Sequence, residues 1–343
     1  MAQALALKYR PRTFHDVTEQ EFVISILQNQ INTKTHKNCY LLTGPAGCGK
    51  TTTARIFANE LNGGKGTPIE IDGASNNGID QVRTIIDQAK MKALDSDYKV
   101  FIIDECHAIS NAGFQAMLKL IEEPPAHAIF ILCTTDPQKI PATILSRVQR
   151  YDFKKISLDG VIQRLAHILD QETQDGRQIT FEEDAVEYIA KLADGGMRDA
   201  ITLMDKCLSY NENLTTQNVL NALGSANYDV MCKLYESIGK GVMADSLGII
   251  EDVYNSGVDL TQFMKQFWLF VLDVYKYTIH NRDFRYLQLP VTLEPQLKEL
   301  VKLTPPNLLQ DLLELNANLK RETHVKQYIQ ATLYSWMAKR VTE

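Results

Sequence analysis

Residues 44–51 read Gly44-Pro45-Ala46-Gly47-Cys48-Gly49-Lys50-Thr51, with glycines set ahead of a lysine and a hydroxyl. That spacing suits the cradling of a polyphosphate. Glycine lets the backbone wrap closely around an anion, so that its N–H groups point inward. Lys50 is placed to reach the β- and γ-phosphates, and the Thr51 hydroxyl to ligate Mg²⁺. Gly44 through Thr52 are therefore the candidate nucleotide-binding residues. An apolar run further on ends in two acids, Asp104 and Glu105. Asp104 can hold Mg²⁺ directly or through water, and Glu105 can polarise an attacking water as general base. Thr134 and Thr135 tip another apolar run; either hydroxyl is placed to sense a γ-phosphate, and equally to cap the turn that follows. Arg198 falls in the first turn of an expected helix, where a cation is unfavourable against the helix dipole, so an anionic partner such as a phosphate suits it. Arg147, taken alone, reads as a solvated surface arginine.

These side chains need a strand–turn–helix frame. Cys39-Tyr40-Leu41-Leu42 precedes the glycine loop, and residues 52–61 follow it with helical periodicity. The run 99–105 is continuously apolar before its acids, as in a strand buried on both faces of a parallel sheet. Its C-terminal end then lies where such sheets bind ligands. Residues 69–72 and 128–135 read as further strands, and 144–153 closes the α/β part. Helices are expected over 21–33, with Phe22, Ile26, Leu27 and Ile31 on one stripe; over 79–93, capped by Asn76 or Asn77; and over 111–123, closed by Pro124-Pro125. Pro11 and mixed polarity make residues 1–20 an extended arm, and an arm with Pro11 and Val17 can wall off an adenine ring. From Ser157 onward strand signals vanish. Helices are expected over 158–172, 182–193 and 197–209, and a further helical region over 215–343 whose aromatic residues at 263–286 serve packing.

A length of 343 residues exceeds one compact core, and 45% hydrophobic with 23% charged residues is ordinary for a soluble globular chain. A net charge of -6 argues against a simple polybasic nucleic-acid binder, though not against one that meets DNA on the inner face of an assembly. The six cysteines include no Cys-x-x-Cys pair, which fits reduced thiols in a cytoplasmic compartment. No signal-peptide run opens the chain, and Phe267–Leu272 is far too short to span a membrane.

With these pieces in order, the chain resembles the AAA+ ATPases, and within them the γ/τ subunits of bacterial DNA polymerase III clamp loaders. Lys8-Tyr9-Arg10-Pro11 with Phe14 and Asp16-Val17 is similar to the family's N-terminal nucleotide box. Gly44–Thr51 matches its Walker A motif and Val100–Glu105 its Walker B motif. Residues 118–125, Leu-Lys-Leu-Ile-Glu-Glu-Pro-Pro, resemble its Leu-Leu-Lys-x-Leu-Glu-Glu-Pro-Pro. Residues 134–141 look like its sensor 1 region, Ser146-Arg147 like its Ser-Arg-Cys finger, and Gly196-Met197-Arg198-Asp199-Ala200 like its sensor 2. The resemblance is strong over residues 5–210; beyond them Leu303-Thr304-Pro305-Pro306 is a weak echo of the collar.

The resemblance implies an α/β AAA+ P-loop domain with a parallel sheet flanked by helices (1–156), a small helical lid domain (157–216) and an all-α collar domain (217–343). It implies adenosine contacts from Arg10, Pro11 and Val17, sensor 1 at Thr135, and Arg198 on the γ-phosphate of its own subunit. Arg147 would then be an arginine finger reaching a neighbouring subunit's site in trans, which replaces the solvated reading. Val148 stands for the cysteine after the finger, and Thr18-Glu19-Gln20 stands where the family usually has Gly before Gln. Asn62-Gly63-Gly64-Lys65-Gly66 bridges the position of the family's four-cysteine zinc module, so no zinc is expected. The long extension of the τ form is not seen, and polymerase and helicase tethering are not expected of this sequence.

The function implied is that of an ATP-hydrolysing clamp-loader subunit using ATP and Mg²⁺. Its partners would be further copies of itself, δ- and δ′-like subunits, the sliding clamp and primer–template DNA, with no membrane. DNA backbone contacts are expected near Asn76, Asn77, Ser110 and Asn111, at two helix starts. Two other readings compete, a hexameric AAA+ DNA motor and a non-hydrolysing structural subunit. The presence of Lys50, Thr51, Asp104, Glu105, Arg147 and Arg198 speaks against the latter.

Overall fold

Five of the apolar runs form one parallel sheet in the computed structural model. The strands are β1 (Cys39–Thr43), β2 (Ile69–Asp72), β3 (Lys99–Asp104), β4 (Ala128–Thr134) and β5 (Gln149–Asp152), in the spatial order β2-β3-β4-β1-β5. Parallel pairing needs crossover connections, and helices supply them. They are α3 (Lys50–Leu61), α4 (Ile79–Ala89), α5 (Asn111–Glu122) and α6 (Ala142–Leu145), while α1 (Leu5–Lys8) and α2 (Glu21–Asn32) precede the sheet and α7 (Leu158–Gln174), α8 (Glu183–Leu192) and α9 (Met197–Tyr210) follow it. Alternate residues of the central strands feed two separate cores. Phe101, Ile103, Phe130 and Leu132 pack with Val82 and Ile85 of α4 and Phe114 and Met117 of α5. Val100, Ile102, Ile129 and Ile131 pack with Val23 and Leu27 of α2 and Ile56 and Phe57 of α3. Every residue of β1 and β4 is buried, because both faces of the sheet are covered.

The structure describes residues 3–223, 228–303, 305, 307–319 and 321–341. Thr304 and Pro306 of the collar echo lie outside them. The chain divides into two compact units: Met1–Arg177 with Ile189–Asp205, and Gln178–Tyr188 with Lys206–Glu343. The division falls within α8 and α9. In the second unit, residues 180–181 pair in parallel with 213–214. Its core is organised on a helix, Leu260–Ile279, with Phe263, Phe267 and Phe270 fully buried and successive ring centroids 6.5 and 6.3 Å apart. Tyr277 joins that core, whereas Tyr286 is exposed. Asp273, buried on the same helix, accepts from the Gln288 N–H at 2.8 Å. Among the described residues, no helix is long and apolar enough to cross a membrane.

Several expectations need correction. The arm is not wholly extended: the good helix formers Leu5–Lys8 make one α-turn before Pro11, and Phe14–Asp16 a 3-10 turn. On α2 the buried stripe is Val23, Leu27 and Gln30, and Phe22 is 77% exposed. Gln30 is tolerated inside because its amide donates to Gln149 and Tyr151 and accepts from Tyr40. Helix α4 stops at Ala89 and starts from Gly78 with no side-chain cap; the Asn76 amide donates instead to the Asp72 carbonyl. Strand β3 ends at Asp104 and β4 at Thr134, one residue earlier than their apolar runs suggest. Strand pairing does recur after Ser157, in a two-residue ladder too short to leave a periodic signal.

Candidate nucleotide-binding site

The C-terminal ends of β1, β3 and β4 meet at one edge of the sheet, and the glycine loop leaves β1 there. Gly44, Gly47 and Gly49 take φ values of 144°, 71° and 102°, which side-chain-bearing residues rarely adopt. A Cβ on Gly47 would lie 3.1 Å from Gly196 Cα, so glycine suits this tight approach to the start of α9. The Met197 N–H donates to the Gly47 carbonyl at 3.1 Å and ties the loop to that helix. Helix α3 follows with no side-chain cap, leaving its leading N–H groups for a ligand.

The loop's polar side chains are pre-set. Lys50 is only 6% exposed, and its Nζ donates to the carbonyls of Gly44 at 2.9 Å and Pro45 at 2.7 Å. Both partners are neutral carbonyls, so neither competes as a counter-charge with an incoming anion. The Thr51 hydroxyl donates to Asp104 Oδ2 at 2.8 Å. Two hard oxygen ligands at this separation fit a divalent cation such as Mg²⁺. Asp104 Oδ1 accepts from the Glu105 N–H at 3.0 Å, fixing the carboxylate. Cys48 is buried and its Sγ donates to the Pro45 carbonyl; burial pushes its thiol up.

The arm closes one side. Arg10 Nε donates to Thr52 Oγ1 at 3.1 Å, and Val17 Cγ1 lies 3.8 Å from where a Gly49 Cβ would be. Burial, then the fields of Arg55 and Arg198, pull the Arg10 guanidinium below its ordinary value, with Glu70 and Asp104 acting the other way. Arg10, Arg55 and Arg198 therefore share one neighbourhood beside the loop. Pro11 is half-buried next to Arg10, and Arg198 is exposed on the first turn of α9. The arm itself is anchored: Tyr9 OH and Lys8 Nζ both donate to Glu172 Oε1 on α7, at 2.8 and 2.6 Å. Glu19 takes a φ of 55°, the conformation for which the family's glycine is suited, and its carboxylate accepts from the Ser157 N–H at 2.7 Å.

At the acid pair, Glu105 also has a left-handed backbone, φ 45° and ψ 42°. Its Oε2 accepts from Thr135 Oγ1 at 3.0 Å and lies 3.2 Å from His107 Nδ1, which is itself 3.0 Å from Thr134 Oγ1. Of the two threonines, Thr135 touches Glu105, while Thr134 is fully buried and accepts the Asp136 N–H. Sequence reasoning missed His107, Arg55 and Glu70. The first sits two residues past Glu105 on a 3-10 turn and leaves no periodic signal; Arg55, four residues after Thr51, pairs with Glu70 of β2.

Arg147 lies elsewhere. It precedes β5, whose Gln149 pairs with Tyr40 near the start of β1, so it sits at the sheet edge opposite the loop. The guanidinium pairs with Glu122 Oε1 at 2.8 Å and donates to the Thr143 carbonyl at 2.7 Å. Five residues of strand span roughly 17 Å, which puts the loop of its own chain beyond its reach. Of the expected DNA-contact residues, Asn77 and Ser110 are joined by a Ser110 N–H to Asn77 carbonyl bond of 3.1 Å, so the starts of α4 and α5 lie side by side. The Ser110 hydroxyl caps α5, accepting from the Gly113 N–H.

Residues 65–157 match the family described as DNA polymerase III, delta subunit, and residues 160–213 the family described as DNA polymerase III clamp loader subunit, ATPase lid domain. DNA polymerase III subunit tau of Bacillus subtilis is 36% identical over 91% of this chain and 58% of its own length. The Escherichia coli subunit tau is 36% identical over 71% of this chain and 41% of its own. The chain spans about half the length of the relatives it matches. Among solved structures, the Thermotoga maritima RuvB Holliday junction branch migration motor aligns over 69% of this chain and 80% of its own, with a TM-score of 0.52 and 22% identity. That likeness is one of fold alone, a parallel sheet flanked by helices.

Proposed function

This chain is a relative of the DNA polymerase III tau and gamma subunits, and on that premise we propose that it is an ATP-hydrolysing subunit of a DNA sliding-clamp loader. The observation that carries the reading is the convergence of Lys50, Thr51 and Asp104 on one anion-cradling loop, with Glu105 next to Asp104 at the end of β3. A fold with a decayed, merely structural site has no reason to keep a buried lysine charge and a carboxylate pre-positioned beside it.

In this reading Arg10, Pro11 and Val17 hold the adenosine, and residues 44–52 the phosphates. Lys50 trades its two carbonyl partners for phosphate oxygens. Thr51 and Asp104 hold Mg²⁺, which supplies charge neutralisation on the β- and γ-phosphates. Glu105 accepts the proton of the attacking water, Thr135 reports on the γ-phosphate, and Arg198 contacts it from the lid. Arg147 serves the neighbouring subunit's site. Its place at the far sheet edge supports action in trans, because only another copy's nucleotide can meet it. The division into AAA+ domain (1–156), lid (157–216) and collar (217–343) belongs to the same proposal. So do the partners: further copies of this chain, δ- and δ′-like subunits, the sliding clamp and primed DNA, in the cytoplasm.

Steady-state ATP hydrolysis with clamp and partner subunits tests the proposal, run without DNA, with duplex and with a recessed primer–template junction. Stimulation by the junction that needs the clamp supports it. The fold likeness to a branch-migration motor gives the second reading, and equal stimulation by any DNA with strand displacement would favour that instead. ATP binding without hydrolysis would leave a structural subunit.

A further inference from the structure

We propose that Glu19 is a positioning residue that fixes the lid helix α7 to the arm beside the nucleotide loop, and so holds Arg198 over the γ-phosphate; the inference rests on the Arg198 contact proposed above. Glu19 stands where the family usually has glycine, and its φ of 55° is one that a side-chain-bearing residue keeps only where its surroundings over-determine it. Those surroundings are the start of α7. Glu19 Oε2 accepts from the Ser157 N–H at 2.7 Å, and Oε1 accepts from the Ser157 hydroxyl. The same hydroxyl accepts from the Gly160 N–H at 3.0 Å and is the N-cap of α7. With its proton committed to the carboxylate, its lone pairs face the helix. A Cβ on Gly160 would run into Glu19 Oε1, so the carboxylate occupies the space beside that first turn. A negative charge at this end of a 17-residue helix is also favoured by the helix dipole.

Neighbouring bonds make this tie part of a closed circuit around the loop. Residues 154–157 lead from β5 into α7 and are held in turn. Lys154 exchanges both backbone groups with the buried Gln20 amide, at 2.9 and 3.3 Å, and the Ile156 N–H donates to the Gly195 carbonyl at 3.2 Å. Gly195 lies three residues before Arg198, and the intervening Met197 donates to Gly47 of the loop. On the other side Val17, two residues before Glu19, lies beside Gly49 of the same loop. Farther along α7, Arg164 donates to the Tyr9 carbonyl at 3.1 Å and Glu172 accepts from Tyr9 and Lys8. The arm thus follows the helix, and Glu19 is its attachment at the first turn. Losing that attachment frees the first turn of α7 from the arm, and the linker carries the movement to Gly195 and Arg198. The groups that hold adenosine and the β-phosphate stay where they are. The cost therefore falls on the γ-phosphate contact, at roughly the worth of one or two hydrogen bonds to a charged acceptor.

The test compares binding of ADP and of a non-hydrolysable ATP analogue to the full chain, with thermal melting of the same samples. Single-turnover hydrolysis is read in the loader assembled with clamp, partner subunits and primer–template DNA. Glu19→Gly is expected to weaken the analogue about tenfold and ADP less than about twofold, and to slow hydrolysis by a factor similar to the first. Its Tm without nucleotide should change little, because glycine adopts this φ freely. Glu19→Gln, which keeps a neutral acceptor for the Ser157 N–H, should fall between wild type and the Gly variant. In an Arg198→Ala background Glu19→Gly should add nothing, since both act through one contact. Equal losses for the two nucleotides, no loss at all, or losses that add to those of Arg198→Ala overturn the inference. If the Gly variant melts early, the same comparison with Glu19→Gln decides. An Arg198→Ala chain that prefers the analogue over ADP as strongly as wild type sinks the γ-phosphate contact itself, and the positioning role with it. A weakened Arg198→Ala beside a wild-type-like Glu19→Gly sinks the positioning role alone.

Discussion

The Thr51 hydroxyl donates to Asp104 Oδ2 across 2.8 Å, joining the first turn of α3 to the end of β3. These two oxygens are hard ligands from separate elements, brought together before any cation arrives. Removing either is expected to erase the Mg²⁺-dependent part of nucleotide affinity. Asp104→Asn and Thr51→Val should each lower hydrolysis about a hundredfold or more, and nucleotide titrations with and without Mg²⁺ should converge. Apo stability should fall by only about 0.5–1.5 kcal/mol, the worth of one hydrogen bond. A variant that keeps a large Mg²⁺ effect on binding would remove these residues from the cation site.

Gly47 couples the loop to the lid. Its φ of 71° strains any side-chain-bearing residue, and the 3.1 Å approach of an added Cβ to Gly196 Cα makes that backbone give way by a few tenths of an ångström. Gly47→Ala is therefore expected to destabilise the first unit by about 1–3 kcal/mol, from strain in the left-handed region and from crowding of the Met197–Gly47 bond. Nucleotide affinity should fall with it, because the loop N–H groups lose their alignment. Gly63→Ala is the control for strain alone: its φ is 58°, but nothing lies within 4 Å of the added carbon. Equal losses in the two variants would show that contact with the lid contributes nothing.

The difference between these two glycines marks what sequence reading could reach. The loop, the acid pair and the sheet were legible because their signals are local: fixed spacing, and apolar runs long enough to demand burial on both faces. Glu105 was legible as an acid but not as a left-handed residue, since its φ of 45° leaves no mark in composition or period. His107 itself was invisible, because a histidine three positions past a strand has no period to obey. The stripe on α2 misled for a related reason. Phe22 was expected in the core stripe, but the buried face includes Gln30, whose partners on β1 and β5 no local pattern encodes.

Glu172 gives a pH-dependent prediction. Burial alone would raise its carboxyl, but hydrogen bonds from Lys8, Tyr9 and Arg177 outweigh it and hold the group below its ordinary value. A depressed carboxyl stabilises the fold above its unfolded value, about 4.3, and that contribution is lost as pH falls through the lower folded value. Glu172→Gln should therefore lower Tm by roughly 2–6 °C at pH 7. The gap from wild type should close as the pH is taken below about 4. Because the same carboxylate anchors Tyr9 and Lys8, and so the arm that carries Arg10, nucleotide binding should weaken in parallel at pH 7. A gap in Tm that persists unchanged at pH 3 would mean that packing, not charge, is what Glu172 contributes.

Arg147 and Glu122 set the last prediction. The pair lies at the sheet edge away from the loop, so neither side chain can act on its own subunit's nucleotide. Arg147→Ala is expected to leave ATP binding by the isolated chain unchanged and to abolish the assembly-stimulated part of hydrolysis. In other phosphoryl-transfer systems such a residue is worth about 10³–10⁵-fold. Glu122 pairs with the guanidinium at 2.8 Å and the Thr143 carbonyl accepts from it at 2.7 Å, two contacts that hold the side chain. Glu122→Gln keeps the shape and one acceptor but halves the charge-assisted grip, and should lower stimulated hydrolysis far less than Arg147→Ala does. Mixing wild-type and Arg147→Ala chains in one assembly separates cis from trans. If the finger serves a neighbour, adding Glu105→Gln chains to Arg147→Ala chains restores turnover at interfaces where the intact Arg147 faces an intact Glu105. If no mixture recovers activity, the finger acts within its own subunit or not at all.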